Sequence, residues 1–429
     1  MIINVLLTNE KLDFWKVPRI AGGQVHVMVP GTIRDDFLRT ITEQNITYSV
    51  MIDDVEKKIR KLRESTKKPR GSNWLRDEPL SRRTNFNLAK YHSYDEILRY
   101  LQQLAVTYPD RVRVMNIGVT HEGRQIALVK IGKPAKSRKP GIWIDGGIHA
   151  REWISPATVL YIIDQLVTQY TENEQIRRFV DDMDWFIVPL LNPDGYEYTR
   201  SSTHPEVRLW RKNRSPLICR ISQRGPFAQP QQECCQGVDL NRNYDWQYGM
   251  EGSSTDPCSE IYQGPYAFSE PETRAVRMFI AKRRNIIKTF LTFHSYSQIL
   301  MYPYGHRERT YTSDVNDLRT TALQAANALR AAYGTVYTVG TGADTLYPAS
   351  GGAEDWAKGR MGIKYSYLFE LRPEEQVWDG FLLDENQIIP TARETFEAVK
   401  VIANRAHAMF ASKNPTNVQG RNSHKVVCN

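Results

Sequence analysis

The chain has 429 residues, 41% hydrophobic and 24% charged, with a formal net charge of +9. This length predicts one large domain with a smaller companion. Apolar runs such as Trp185 to Leu191 are too short to span a bilayer, so no membrane segment is predicted. The dense basic run from Lys57 to Arg70 lacks aromatic residues, which indicates a solvated helix face rather than a nucleic-acid site.

The first 64 residues predict a small α+β unit. Gln24 to Val29 alternates apolar and polar residues as a strand does, and Pro30-Gly31 ends it. Asp35 to Glu43 and Val55 to Glu64 have helical periodicity. Residues 65–83 are rich in Lys, Arg, Pro and Ser, and they predict an exposed linker.

From residue 84 helices alternate with apolar strands, which predicts an α/β domain with a mixed, mainly parallel twisted sheet flanked by helices. The predicted strands are Arg124 to Ile131, Gly141 to Ile148, Asp184 to Leu191, Lys288 to Phe293, Gln298 to Tyr302 and Tyr365 to Leu371. The predicted helices are Tyr94 to Thr107, Pro156 to Tyr170, Pro271 to Arg284, Asp317 to Tyr333 and Ala392 to Phe410. Helix starts are predicted at Ser155-Pro156 and at the capping-box pairs Ser269/Glu272 and Thr391/Glu394.

A group of potential metal ligands follows two of these strands. The segment from Gly141 ends in His149, and Glu152 comes three residues later. This HxxE spacing is weak evidence for a metal site by itself, because a histidine at the end of a strand usually has a structural role. His294 ends another apolar strand, and the carboxyl ends of parallel strands share one edge of a sheet. Two His and one Glu would leave a position for water on zinc, and Glu370, at a third strand end, could act as the base.

Seven motifs in chain order, GIHAREW, NPDGY, LWRKNRS, DLNRNYDW, FHSYSQILMYPYG, LYPASGG and FELR, make residues 84 to about 410 resemble the zinc carboxypeptidases of the A/B type. The leader resembles that family's pro-segment through Leu12 to Lys16. The resemblance implies a carboxypeptidase-like catalytic domain (84–412) after a ferredoxin-like pro-domain (1–64), with an activation site in the linker 65–83 and a tail (413–429). Trypsin-like cleavage is expected after Arg82 or Arg83.

The resemblance also assigns roles. His149, Glu152 and His294 would bind one Zn²⁺ per chain, and Asp239 would orient a ligand histidine. Glu370 resembles the catalytic base, and Arg211 the arginine that polarises the scissile carbonyl. The remaining matched positions resemble groups that bind the substrate's C-terminal end: Arg151, Asn241, Arg242 and the mobile Tyr347.

Glu354 resembles the floor of the pocket that selects the C-terminal side chain. In this family an acid there accompanies basic residues, and an apolar residue accompanies aromatic or aliphatic ones. Glu354 therefore favours C-terminal Lys or Arg. Glutamate is longer than the usual aspartate, and one extra residue between Trp356 and Gly362 alters the local geometry. An enzyme of A-type preference and an inactive binding protein with this fold are the alternatives.

The cysteines and the N-terminus depart from the family pattern. The family disulfide would join Cys235 to Cys258, and Cys219 with Cys234 is a possible second bridge. The pro-segment lacks its expected first strand and a signal peptide, so we expect a chain truncated at its start. Secretion then follows from the family and the cysteines. Expected partners are peptides and proteins with a free C-terminus, a trypsin-like activating protease and proteinaceous carboxypeptidase inhibitors.

Overall fold

A computed structural model describes residues 12–16, 22–67, 86–222, 231–374, 377 and 379–413. The linker 65–83 and the tail 413–429 lie outside these ranges, apart from 65–67 and 413, so cleavage after Arg82 or Arg83 remains a prediction. Within the described ranges, every helix is too short or too polar to cross a lipid bilayer.

The large domain is built on an eight-stranded sheet. In spatial order its strands are β11 (Thr338–Thr341), β10 (Ile299–Tyr302), β12 (Tyr365–Glu374), β9 (Ile287–Ser297), β5 (Gly141–Gly146), β6 (Asp184–Val188), β4 (Gln125–Ile131) and β3 (Val112–Val119). The central run from β12 to β6 is parallel, as is the pair β10 and β11, whereas β10 is antiparallel to β12, and β4 to both β3 and β6. The predicted mixed, mainly parallel sheet is confirmed.

Helices cover the sheet. In chain order they are α3 (Tyr94–Thr107), α4 (Ile154–Thr168), α5 (Glu174–Asp182), α6 (Pro193–Ser201), α7 (Pro205–Arg208), α8 (Pro271–Ala281), α9 (Val315–Tyr333), α10 (Gly342–Thr345), α11 (Ala353–Gly359) and α12 (Ile388–Lys413). A separate hairpin consists of β7 (Ile218–Ser222) and β8 (Gln231–Cys235). The disulfides Cys219–Cys234 and Cys235–Cys258 both form.

The predicted pro-segment contributes β1 (Asp13–Lys16), which pairs antiparallel with β2 (His26–Met28). The helices α1 (Arg34–Glu43) and α2 (Val55–Lys67) follow, within one residue of the predicted start of the first and beyond the predicted end of the second. The order of strands and helices confirms the predicted small unit before the large domain.

Both faces of the central strands are buried, so alternate residues serve two separate cores. Ile142 and Ile144 of β5 pack in one cluster, whereas Trp143 of the same strand and Phe290 of β9 pack in the other. This two-sided burial is expected of parallel strands that helices cover on both faces. It explains why these strands read as continuous apolar runs.

The three predicted N-terminal caps are wrong, although α8 begins at Pro271 as predicted. α4 begins at Ile154 rather than at Pro156, and the Ser155 hydroxyl donates to the carbonyl of Phe293 at 2.6 Å. The two predicted capping boxes do not form at the starts of α8 and α12 either. Glu270 precedes α8 and Glu272 accepts a hydrogen bond from Asn213, while Thr391 lies inside α12 and Glu394 pairs with Arg372.

Candidate metal centre and substrate cleft

The predicted metal ligands come from two neighbouring parallel strands. β5 ends at Gly146, and His149 and Glu152 lie just beyond its carboxyl end. His294 is part of β9, in which Phe293 is the register partner of Gly146. The sheet therefore brings together side chains that are 145 residues apart in sequence.

The three side chains form a compact buried cluster. Their ligand atoms all lie within 4.8 Å of one another, and each residue is at most 3% exposed. Nδ1 of His149 is 2.7 Å from Oε1 of Glu152 and 3.2 Å from Nδ1 of His294. Two imidazole nitrogens that face each other beside a carboxylate match the donor set of catalytic zinc sites. The residues present thus fit a zinc ion.

The charges in this cluster also suit a cation. Burial acts to raise the pKa of Glu152, but His149 and His294 outweigh it and hold that pKa well below its usual range. Burial and then Arg211 lower the pKa of His149, which favours the neutral ring that binds metals. Burial would lower the pKa of His294 as well, but Glu152 raises it.

Asp239 joins the metal cluster to the cleft. Its Oδ1 accepts a hydrogen bond from Nε2 of His149 at 3.0 Å, while Oδ2 accepts from Nε and Nη2 of Arg211 at 3.1 and 2.9 Å. Burial would raise the pKa of Asp239, but Arg211 and Arg242 keep it well below its usual range. Asp239 therefore stays ionised, and it fixes the His149 ring with Nδ1 toward the cluster.

Glu370 lies directly beside the metal cluster. In the β9–β12 pairing it is the register partner of His294. Its Oε2 atom is buried and has no hydrogen-bond partner among the described residues. Burial raises the pKa of Glu370 to about 8, and Glu152 adds to the rise while His294 opposes it. An unpaired carboxyl group next to a cation site is a suitable proton carrier.

The predicted carboxylate-binding pair is held rigidly. Arg242 is 2% exposed, and its Nε and Nη1 donate to the carbonyls of Gly252 and Asn241 at 2.6 and 3.0 Å. Oδ1 of Asn241 accepts from the backbone N–H of Ala353 at 2.9 Å, at the start of α11. The structure brings this pair next to the helix that carries Glu354.

Tyr347 lies between α10 and α11 and is partly buried. Its electrostatic effect reaches Arg211. Burial would lower the pKa of that guanidinium, but Asp239 and then Tyr347 raise it. Tyr347 therefore favours the charged form of Arg211.

Glu354 is in the first turn of α11 and is 8% exposed. Its Oε2 has no hydrogen-bond partner among the described residues. Two glycines make room for the carboxylate: a Cβ on Gly352 would lie 2.9 Å from Oε2, and one on Gly305 would lie 3.4 Å from Oε1. Burial and Asp355 raise the pKa of Glu354 to about 7. A buried carboxylate whose Oε2 lacks a hydrogen-bond partner, in a recess lined by two glycines, can accept a positively charged group.

The pro-segment covers this cleft. Arg151 is 2% exposed, and its Nη1 donates to Oδ1 and Oδ2 of Asp13 at 3.0 and 3.2 Å. The Trp15 ring packs edge-on against Phe381 at 5.5 Å, and the Arg151 guanidinium lies 4.2 Å from the same ring. Nδ1 of His26 is 3.0 Å from the hydroxyl of Tyr296.

A second contact fixes α2 on the large domain. Lys58 pairs with Asp379 at 2.5 Å, and Arg63 donates to the carbonyls of Arg200 and Ser202. The basic face of α2 therefore binds the protein itself.

Sequence reasoning missed some residues of the cleft and its cover. Asp13 lies within the recognised segment Leu12 to Lys16, but its contact with Arg151 spans 138 residues and has no local signal. Tyr296 and Phe381 were not singled out either. For Tyr296 the signal was its place two residues after His294; for Phe381 we find none.

Comparisons with known proteins agree with this geometry. A family model described as zinc carboxypeptidase matches residues 97–398, and one described as carboxypeptidase activation peptide matches residues 2–61. The chain is 46% identical over 318 residues to carboxypeptidase B of Astacus astacus, covering 73% of this chain and 96% of that protein. It is 39% identical over 392 residues to carboxypeptidase A2 of Mus musculus, covering 91% and 86%.

Solved structures give the same result. Thrombin activatable fibrinolysis inhibitor superimposes with a TM-score of 0.80 at 33% identity, covering 95% of each chain. The bovine form of that protein, in complex with tick carboxypeptidase inhibitor, gives a TM-score of 0.65 at 37% identity, covering 75% of this chain and 99% of the other.

Proposed function

Because the chain belongs to the zinc carboxypeptidase family and carries that family's activation peptide, we propose that it is a zymogen whose cleaved form prefers C-terminal Lys or Arg. The observation that carries this preference is the buried carboxylate of Glu354, whose Oε2 has no hydrogen-bond partner among the described residues. Relatives of both A and B types match the chain, so the preference rests on this residue.

Substrate binding uses the rigid cationic groups of the cleft. Two backbone carbonyls fix the Arg242 guanidinium, whose remaining N–H groups donate to the terminal carboxylate. The side-chain amide of Asn241 donates a further hydrogen bond. A guanidinium can bind a carboxylate with two parallel hydrogen bonds, which restricts the enzyme to chain ends. Tyr347 closes over the bound residue, whose side chain reaches Glu354.

Peptide hydrolysis then needs a polarised carbonyl and a proton carrier. Zinc held by His149, Glu152 and His294 supplies a Lewis acid and lowers the pKa of water. Arg211 stabilises negative charge on the scissile carbonyl oxygen. Glu370 takes a proton from the attacking water and passes it to the leaving amine; a neighbouring cation favours its ionised form.

Autoinhibition follows from the contacts of β1. Asp13 occupies the guanidinium of Arg151, and Trp15 covers Phe381, so a peptide cannot reach either group. Cleavage in the linker by a trypsin-like protease removes this cover. We also propose that the protein is secreted, since its disulfides require an oxidising compartment, and that proteinaceous carboxypeptidase inhibitors bind the open cleft.

Hydrolysis of two blocked dipeptides, one ending in Arg and one in Phe, tests the proposal after trypsin treatment. We expect cleavage that favours Arg, that a zinc chelator abolishes and that is absent before trypsin treatment. A preference for Phe would refute the role of Glu354 and leave an A-type enzyme. Cleavage of neither substrate by protein of native zinc content would favour an inactive binding protein.

A further inference from the structure

A buried carboxylate that none of the roles above uses lies close to the metal cluster. Asp145 is in β5, is 1% exposed and is the register partner of Thr292 in β9. Its Oδ1 accepts a hydrogen bond from the Thr292 hydroxyl at 2.6 Å, and its Oδ2 accepts from Nε1 of Trp143 at 2.6 Å. Oγ1 of Thr292 is in turn 3.3 Å from Nε2 of His294.

The direction of these bonds can be worked out from the chemistry of the groups. An ionised carboxylate only accepts, so the single hydroxyl proton of Thr292 goes to Asp145. The Thr292 oxygen then has only lone pairs to offer, and Nε2 of His294 must carry the proton that it donates. In the neutral ring that binds a metal, Nδ1 of His294 is then unprotonated, and this is the nitrogen that faces His149 and Glu152.

Burial raises the pKa of Asp145 to about 6, with Thr292 and Trp143 opposing the rise, so its ionised form predominates at neutral pH. Strand geometry supports the same arrangement. Residues two apart in a strand point to the same face, so Thr292 lies beside His294, and Trp143 beside Asp145.

We propose that Asp145 and Thr292 are positioning residues for the metal site. The Asp145 carboxylate orients the Thr292 hydroxyl, and the oxygen of that hydroxyl accepts a hydrogen bond from Nε2 of His294. They correspond to Asp239, which contacts the other histidine, His149, directly at 3.0 Å. Nε2 of each ligand histidine is thus linked by hydrogen bonds to a buried carboxylate. The link is direct for His149 and passes through the Thr292 hydroxyl for His294. Such partners fix the tautomer and ring orientation of a metal-binding histidine and raise its basicity.

The proposal rests on the zinc site formed by His149, Glu152 and His294, and its test measures zinc affinity rather than hydrolysis. The main variant is Thr292→Val, which keeps the shape of the side chain and removes the hydroxyl. Thr292→Ser keeps the hydroxyl. The matched control is Thr289→Val in the same strand, because Thr289 is fully buried and its hydroxyl has no hydrogen-bond partner among the described residues.

Zinc dissociation constants of the uncleaved full chain are measured by competition with a chromophoric chelator, and melting temperatures of the metal-free proteins report folding. Loss of such a partner lowers metal affinity about 10- to 100-fold, and we expect about tenfold for Thr292→Val because the relay is indirect. Thr292→Ser should restore the affinity, and Thr289→Val should not change it.

Zinc affinity of Thr292→Val equal to that of Thr289→Val would overturn the proposal. Asp145→Asn provides a second test if Thr292→Val fails to fold, since it removes the charge at the end of the relay. Weakened zinc binding in this variant supports the relay, and unchanged binding refutes it. Failure of the proposed C-terminal preference would leave these measurements unaffected, so the two proposals can fail separately.

Discussion

Replacing Glu354 by glutamine tests how the recess selects the C-terminal side chain. The substitution keeps the size of the side chain and removes its charge. The carboxylate is 8% exposed, and its Oε2 has no partner among the described residues, so a bound Lys or Arg would supply the missing counter-charge. Asn241 and Arg242, the proposed binding groups for the terminal carboxylate of the substrate, are unchanged in the variant.

The size of the effect follows from the bond that is lost. A hydrogen bond to a charged group contributes about 1.5–3 kcal/mol, which corresponds to a roughly 10- to 150-fold change in kcat/KM. We expect Glu354→Gln to lose this factor on an Arg-ending dipeptide. A Phe-ending dipeptide does not use the charge, so its kcat/KM should not fall and serves as the internal control for folding and zinc content.

The pH dependence gives a second readout of the same group. Burial and Asp355 raise the pKa of Glu354 to about 7, and an acid is ionised above its pKa. The Arg-to-Phe ratio of kcat/KM should therefore rise as the pH increases through about 7, and it should be flat in Glu354→Gln. Taking the ratio cancels the titration of Glu370, which acts on both substrates. If the Arg-to-Phe ratio in Glu354→Gln equalled that of the parent at each pH, the reasoning would be refuted.

Three further variants test other parts of the proposal. Glu370→Gln should lower kcat/KM by about 10²–10⁴ at unchanged zinc content by metal analysis, and near-normal activity would exclude it as the proton carrier. Asp13→Asn removes the counter-charge of the buried Arg151 and weakens the pro-segment contact by up to about 3 kcal/mol, the lower end for buried pairs because the Asp13 side chain is 17% exposed. The uncleaved variant should then hydrolyse small peptides that the uncleaved parent does not, and equal activity of the two proteins would contradict the proposed blocking role of the Asp13–Arg151 pair. Changing Cys219 and Cys234 to Ser removes a disulfide that closes a loop with a sequence separation of 15. The chain-entropy model gives a loss of about 3 kcal/mol in the free energy of unfolding, so the melting temperature should fall while kcat/KM stays the same. An unchanged melting temperature would contradict a stabilising role of this disulfide.

Local sequence patterns were most successful where a single element sets the outcome. The strand from Gly141 and the helix from Tyr94 lie where their periodicity predicted them. The predicted helix start at Ser155 is wrong although its residue types suit a cap, because the Ser155 hydroxyl donates to the carbonyl of Phe293 in β9. A helix start depends on which group a short polar side chain forms its hydrogen bond with. A strand that is distant in sequence can provide a better partner than the adjacent helix backbone.

The sequence alone determined the kinds of ligand and the strands that carry them, since residue identity and strand period are local properties. It predicted that all four side chains lie at strand ends, which holds for His149 and Glu152 after β5. For His294 and Glu370 it is wrong, because β9 continues to Ser297 and β12 to Glu374. Tertiary structure alone decided which nitrogen of each histidine faces the cluster, because that depends on buried carboxylates such as Asp145. Strand order and side-chain packing set those contacts, which join residues more than a hundred positions apart, and no sequence period encodes them.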